Sequence, residues 1–186
     1  MAGVLSEYRV LIAPGLHSSG PGHWQSRWQR LYPGFERIEQ DHWDQPQLRD
    51  WSARVSEVRQ RDRRPTLVVA HSFGTLATVH SLARDRAWIA GVLLVAPADP
   101  QKFGVAGLLP QTRLPCPSIV LASSNDPWMT VESAATWAQR WGSEFVNVGA
   151  LGHINAESGL GDWLYGQSQL HRLAERVHNE HTVNVF

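Results

Sequence analysis

Only one cysteine, Cys116, stands in 186 residues, so neither an intrachain disulfide nor a cysteine-based zinc cluster can form. That scarcity fits a reducing cytoplasm. The flanking Pro115 and Pro117 favour an extended lead into a strand, where a buried, unreactive thiol is expected. Net charge is lacking too. Lys and Arg number 17, as do Asp and Glu, which removes the basic footprint of a nucleic-acid binder. The run from Arg59 to Arg64 reads as a solvated helix end. Long apolar runs are also missing: Gly91 to Ala96 is among the longest, against the roughly 20 residues a membrane helix needs. The N-terminus has neither the basic nor the long apolar part of a secretory signal. A soluble cytoplasmic protein without membrane or nucleic-acid partners is the expectation.

What is present is core material: 42% of residues are hydrophobic and nine are Trp. The length suits a single domain over residues 1–186, with 178–186 as a loose tail. Apolar runs predict strands at Arg9 to Pro14, Phe35 to Ile38, Thr66 to Ala70, Ala90 to Ala96, Ser118 to Ala122 and Glu144 to Val148. Between them lie helical patterns. Trp24, Trp28 and Leu31 share one face, as do Leu48, Trp51, Val55 and Val58. Further helices follow Ser72, run from Val131 to Trp141, and extend from about Gly159 to Val177. The strands are apolar on both faces and alternate with helices, which predicts a mostly parallel sheet of about six strands in an α/β/α sandwich. Pro97 to Pro117 is the one long connection, short for a lid but sufficient for a flexible flap.

In such folds ligands bind beyond the carboxyl ends of the strands. Ser72 lies between a strand and a helix in Ala70-His71-Ser72-Phe73-Gly74, a nucleophile elbow with Ala in place of the usual first Gly. Small residues two before and two after the serine are needed because the turn is tight. Read alone, Ser72 is equally an ordinary helix N-cap. A serine hydroxyl needs a base, and the base needs a carboxylate to fix its tautomer. Asp126 follows one strand within Ser123-Ser124-Asn125-Asp126-Pro127, and His153 follows another within Gly149-Ala150-Leu151-Gly152-His153. The order Ser, acid, His is that of α/β hydrolases. Asp99, after the strand that follows the Ser72 helix, is the substitute acid. An oxyanion hole needs two backbone N–H groups, expected at Phe73 and at Leu16, with Gly15 giving the Leu16 loop its conformational freedom.

These stretches resemble the small serine hydrolases related to retinoblastoma-binding protein, including YdeN-like bacterial members. The matching segments are PGLHSSGPGHWQSRW (14–28), QDHWDQP (40–46) with Trp51, VVAHSFG (68–74), VAPAD (95–99), SSNDPW (123–128) and GHIN (152–155). The resemblance implies a reduced α/β-hydrolase fold with no large lid and the triad Ser72, Asp126 and His153. The vertebrate member's partner reads a Leu-x-Cys-x-Glu motif. Here the sole cysteine sits in Leu114-Pro115-Cys116-Pro117-Ser118, without the Glu, so that partner does not carry over.

The function expected is hydrolysis of small carboxylic esters without a cofactor, with amide or peptide cleavage by the same triad as the alternative. A binding protein on a hydrolase fold is the rival of another class. No metal site is expected: His17, His23, His42 and His71 lack metal-ligand spacing, and His23 and His71 are expected to pack or hydrogen-bond locally. Trp43 and Trp128 follow strands and either wall a shallow substrate pocket or pack in the core.

Overall fold

A computed structural model describes residues 3–184. Six strands form one sheet: β1 Arg9–Ala13, β2 Glu36–Arg37, β3 Thr66–His71, β4 Ile89–Val95, β5 Ser118–Ala122 and β6 Glu144–Asn147. Their order is β2-β1-β3-β4-β5-β6 and every pairing is parallel. Five α-helices make the connections and the end: α1 Trp24–Leu31, α2 Leu48–Gln60, α3 Phe73–Arg84, α4 Val131–Trp141 and α5 Leu164–Val183. Short 3-10 turns at Val4–Glu7, Ala106–Leu108 and Ala156–Ser158 complete it.

Successive side chains of a strand point to opposite faces, so each apolar strand feeds two cores. Leu11, Val68, Val92 and Val120 pack with α2, α3 and α4 on one face. Val10, Ile12, Leu67, Val69, Leu93 and Ile119 pack with α1 and α5 on the other. The result is the three-layer sandwich that double-sided strands require. Helix ends follow local chemistry. Thr130 caps α4 by accepting the Ser133 N–H, and Gly142 ends it at a φ of 65°.

Three expectations need correction. The last helix starts at Leu164, after Trp163 at a φ of 46°, and continues through Val183. Residues 178–183 are therefore helical, with His178 Nδ1 3.1 Å from the Glu7 carboxylate; residues 185–186 of the expected tail lie outside the described residues. The 97–117 segment is pinned over its second half. Leu109 and Leu114 are buried, Trp141 Nε1 donates to the Pro110 carbonyl, and Leu114 N donates to that of Trp141. Trp43 is a core-packing residue, half-buried with its ring edge-on to Trp51 at 5.5 Å, and it does not line the cleft described below.

Candidate active site

The β3–α3 turn places Ser72 at a φ of 55° and ψ of −124°. Such a conformation costs of order 1–3 kcal/mol for a residue with a Cβ and persists only where its surroundings hold it. Here Ser72 N donates to the Val95 carbonyl, while the Ser72 carbonyl accepts from Ala98 N and from Thr75 Oγ1 at 2.7 Å. Gly74 is required for space, because a Cβ there would overlap the Ala13 carbonyl and lie 2.5 Å from that of Pro14.

His153 Nε2 lies 3.0 Å from Ser72 Oγ, and its Nδ1 lies 2.9 and 3.1 Å from the two oxygens of Asp126. A carboxylate accepts, so Nδ1 carries the proton and Nε2 offers its lone pair to the serine hydroxyl. The Asp126 side chain is 2% exposed and also accepts from Trp128 N. The loops bearing acid and histidine are stitched together. Asn125 Oδ1 accepts from Gly152 N at 2.7 Å, Ser123 Oγ accepts from Leu151 N, and Ser124 N donates to the Gly149 carbonyl. Asp99 instead caps its own turn by accepting from Gln101 N.

Two further histidines form a row with His153. His71 Nε2 donates to the His153 carbonyl at 2.9 Å, and its ring lies 4.9 Å from that of His153. His23 meets His71 edge-on at 4.7 Å. Burial chiefly, then the neighbouring His23 and His153, holds His71 well below the usual imidazole range. Burial, Arg37 and His153 bring His23 down to about 3. Both rings therefore stay neutral near pH 7 beside His153, whose Nε2 faces Ser72 Oγ. Among the described residues no group of three or more His, Cys, Asp or Glu is placed to hold a metal ion. Cys116 is partly buried and its thiol is pushed up to about 12, chiefly by burial.

The loop after β1 lies against the elbow. A Cβ on Gly15 would fall 2.8 Å from Ser72 Cβ and 3.3 Å from Phe73 N. Gly15 is thus needed for close approach, since its φ is not positive, which corrects the expected role in chain freedom. Arg37 braces this loop, donating to Ser18 Oγ and the Ser19 carbonyl. Trp43 touches the site only through its carbonyl, which accepts from His17 N at 2.8 Å. Among the described residues neither Leu16 N nor Phe73 N has a partner, and the first amide of a helix has none within it. Two N–H donors beside a base-linked serine can stabilise an oxyanion.

Ser72 and His153 open into a cleft of about 690 Å³. Leu16, His17, Lys102, Phe103, Trp128 and Glu157 are among its lining residues. Trp128 is 61% exposed and its carbonyl accepts from Lys102 Nζ, while Phe103 packs on Phe73 at 4.9 Å. A second cleft of about 420 Å³, around Gln40, Asp50 and Glu57, contains no member of this group.

His23 hydrogen-bonds locally as expected, in capping α1, but sequence reading missed the row that it and His71 form with His153 and the parts Asn125 and Gln25 play. Gln25 is fully buried and joins Ser19 Oγ to the Val69 carbonyl. Only the frame of the elbow and the GHW segment hinted at these residues.

The family described as serine hydrolase matches residues 10–172. A YdeN-like hydrolase from Pectobacterium atrosepticum is 40% identical, with 94% of each chain covered and a TM-score of 0.90. The ydeN gene product of B. subtilis is 21% identical over 88% of this chain and 98% of its own, with a TM-score of 0.69. The esterase domain of a Rhodothermus marinus protein, 16% identical over 89% of this chain and 86% of its own, shares the fold at a TM-score of 0.60. No curated protein matches the chain. Sequence and fold together place this chain among the YdeN-like small serine hydrolases, to whose family it belongs.

Proposed function

We propose that the protein cleaves small carboxylic esters through an acyl-enzyme on Ser72, with His153 as general base and Asp126 orienting it. Ser72 Oγ attacks the ester carbonyl while its proton passes to His153 Nε2. The tetrahedral oxyanion is met by the Leu16 and Phe73 N–H groups. Collapse breaks the bond to the alcohol oxygen, which takes the proton from His153. Water, deprotonated by the same nitrogen, then attacks the acyl carbon and returns Ser72. The observation that carries this reading is the continuous Asp126–His153–Ser72 hydrogen-bonded chain opening onto the cleft. Binding alone has no use for a base-linked serine.

Leu16, Phe103 and Trp128 are each substantially exposed, which suits an open cleft for short chains. Each covered CH₂ adds roughly 0.8 kcal/mol, and the gain stops where cover stops. Acetyl to hexanoyl p-nitrophenyl esters are therefore expected to be preferred, without interfacial activation. The test is kcat/KM across graded acyl lengths beside aminoacyl amide substrates. A rate that climbs steadily to palmitoyl would overturn the short-chain preference, and faster amide than ester cleavage would favour a peptidase.

A further inference from the structure

His71 is buried and has no place in the proton path proposed above, yet it stands between Ser72 and His153. It ends β3 and directly precedes Ser72. Its Nε2 lies 2.9 Å from the His153 carbonyl oxygen. A carbonyl only accepts, so Nε2 carries the hydrogen. The ring is packed by three others: His23 edge-on at 4.7 Å, Trp24 edge-on at 6.1 Å, and His153 at 4.9 Å. Burial keeps it uncharged near neutrality, so it brings no second positive charge to the base.

The residue after His153 is strained. Ile154 is fully buried at a φ of 49°, in the left-handed region that a β-branched residue rarely adopts. Such backbone persists only where its surroundings hold it. Two ring N–H groups hold it here. His71 donates to the His153 carbonyl, and Trp24 Nε1 donates to the Ile154 carbonyl at 2.8 Å. The bonds from Gly152 to Asn125 and from Leu151 to Ser123 tie the loop of His153 to that of Asp126. Those bonds join base to acid. The His71 bond joins base to nucleophile, because His71 and Ser72 share a peptide bond.

We infer that His71 is a positioning residue: its Nε2–H fixes the peptide of His153 and so holds that imidazole 3.0 Å from Ser72 Oγ. This rests on the proposed Ser72 chemistry and deepens it. His71 acts through His153, so it governs the rate of the chemical step rather than the binding of the ester. Positioning of this kind matters, since a misplacement of about 1 Å can lower a rate by about 10².

His71→Gln and His71→Met test this as a pair. Both side chains reach as far as the imidazole Nε2, but Gln ends in an N–H donor and Met in a methyl group. The first readout is the rate of labelling by a fluorophosphonate. Ser72 Oγ forms a bond to phosphorus, fluoride leaves, and the serine proton passes to His153. His71→Met is expected to label about 10- to 10²-fold more slowly than wild type, yet to modify every chain in the end. A thermal melt of each variant confirms that it is folded at the assay temperature. On a short p-nitrophenyl ester kcat should fall by a similar factor with KM little changed, and His71→Gln should recover most of the loss in both readouts. If His71→Met does not fold, His71→Asn, an amide one bond too short to reach the carbonyl, is compared with Gln instead. Equal rates in the Gln and donor-deficient variants, or a loss carried by KM, would overturn the inference while leaving Ser72 chemistry intact. Failure of wild-type Ser72 to label would overturn the proposed function itself, and this inference with it.

Discussion

The two ends of the sheet handle buried polar groups in opposite ways. At the end where the strands begin, Arg9 donates to the carbonyls of Val58 and Arg59 and to Glu36. Arg59, fully buried, donates to the carbonyls of Asp85 and Ala87 at 2.6 Å and to the Asp85 carboxylate, with only its Nε left over. There the charges close loop ends and serve the fold. At the end where the strands finish, Leu16 N, Phe73 N and His23 Nε2 are donors without acceptors, and Ser72, His17, Ser18 and Ile154 sit at positive φ. Trp88, just before β4, shares the positive φ at the beginning end, so strain is concentrated at the finishing end without being confined to it. The contrast separates residues that hold the protein together from residues of the proposed site.

Breaking the finishing end alone should give the largest effect. Ser72→Ala is expected to lower kcat/KM by at least about 10⁴-fold and to abolish fluorophosphonate labelling, with an unchanged melting temperature. Asp126→Asn is expected to lose about 10³- to 10⁴-fold, because Nδ1 loses the carboxylate that fixes its proton. A loss below about tenfold would mean that another carboxylate orients His153.

Gly15→Ala comes next, and it probes how closely the loop after β1 must lie on the elbow. The added methyl would meet Ser72 Cβ at 2.8 Å, so the Leu16 amide must move away. Loss of one oxyanion donor costs on the order of 10² to 10³ in kcat, and KM for a short ester should change far less. Full activity in Gly15→Ala would remove Leu16 from the proposed oxyanion hole.

The beginning end breaks differently. Arg59→Met strands the carbonyls of Asp85 and Ala87 and is expected to cost about 2–3 kcal/mol in urea unfolding. Below the unfolding transition, its rate of labelling by a fluorophosphonate should match wild type. A stable variant with slowed labelling would show that the two ends are coupled.

The smallest effect is a pH slope. The folded values of His23 and His71 lie below the ordinary 6.5, that of His23 near 3. As pH falls from 6.5, the unfolded chain binds protons that the native protein refuses, so stability present above 6.5 is lost through that window. Each histidine contributes at most about 1.4 kcal/mol per pH unit. His23→Asn should therefore melt with a shallower acid decline than wild type between neutrality and about pH 4. An unchanged slope would mean that His23 is protonated in the native protein.

Much of this was legible in the residues because the strands announce themselves twice. Runs such as Thr66 to Ala70 and Ser118 to Ala122 are apolar at every position, which only a doubly covered strand requires. The order of Ser72, Asp126 and His153 on loops after strands predicted their meeting, and each lies where β3, β5 and β6 end. What stayed hidden depends on contacts distant in sequence. Trp43 looks alike in sequence whether it faces a cleft or Trp51. The extra turns of α5 draw on packing against the 3-10 turn at Val4–Glu7, a contact between the two ends of the chain. The partners of His71 are His153, 82 residues away, and His23, and no local period encodes either.

The all-parallel order of strands also carries a consequence in time. No two neighbouring strands can be joined by a hairpin, so every pairing waits for a crossover to close, and folds dominated by such distant contacts form slowly. Ser72 meets His153 across 81 residues, and the Trp24 indole that steadies the next peptide, by donating to the Ile154 carbonyl, reaches across 130. A chain still emerging during synthesis holds Ser72 long before His153. Return of hydrolase activity during refolding should accordingly trail tryptophan burial and mark the last step of assembly.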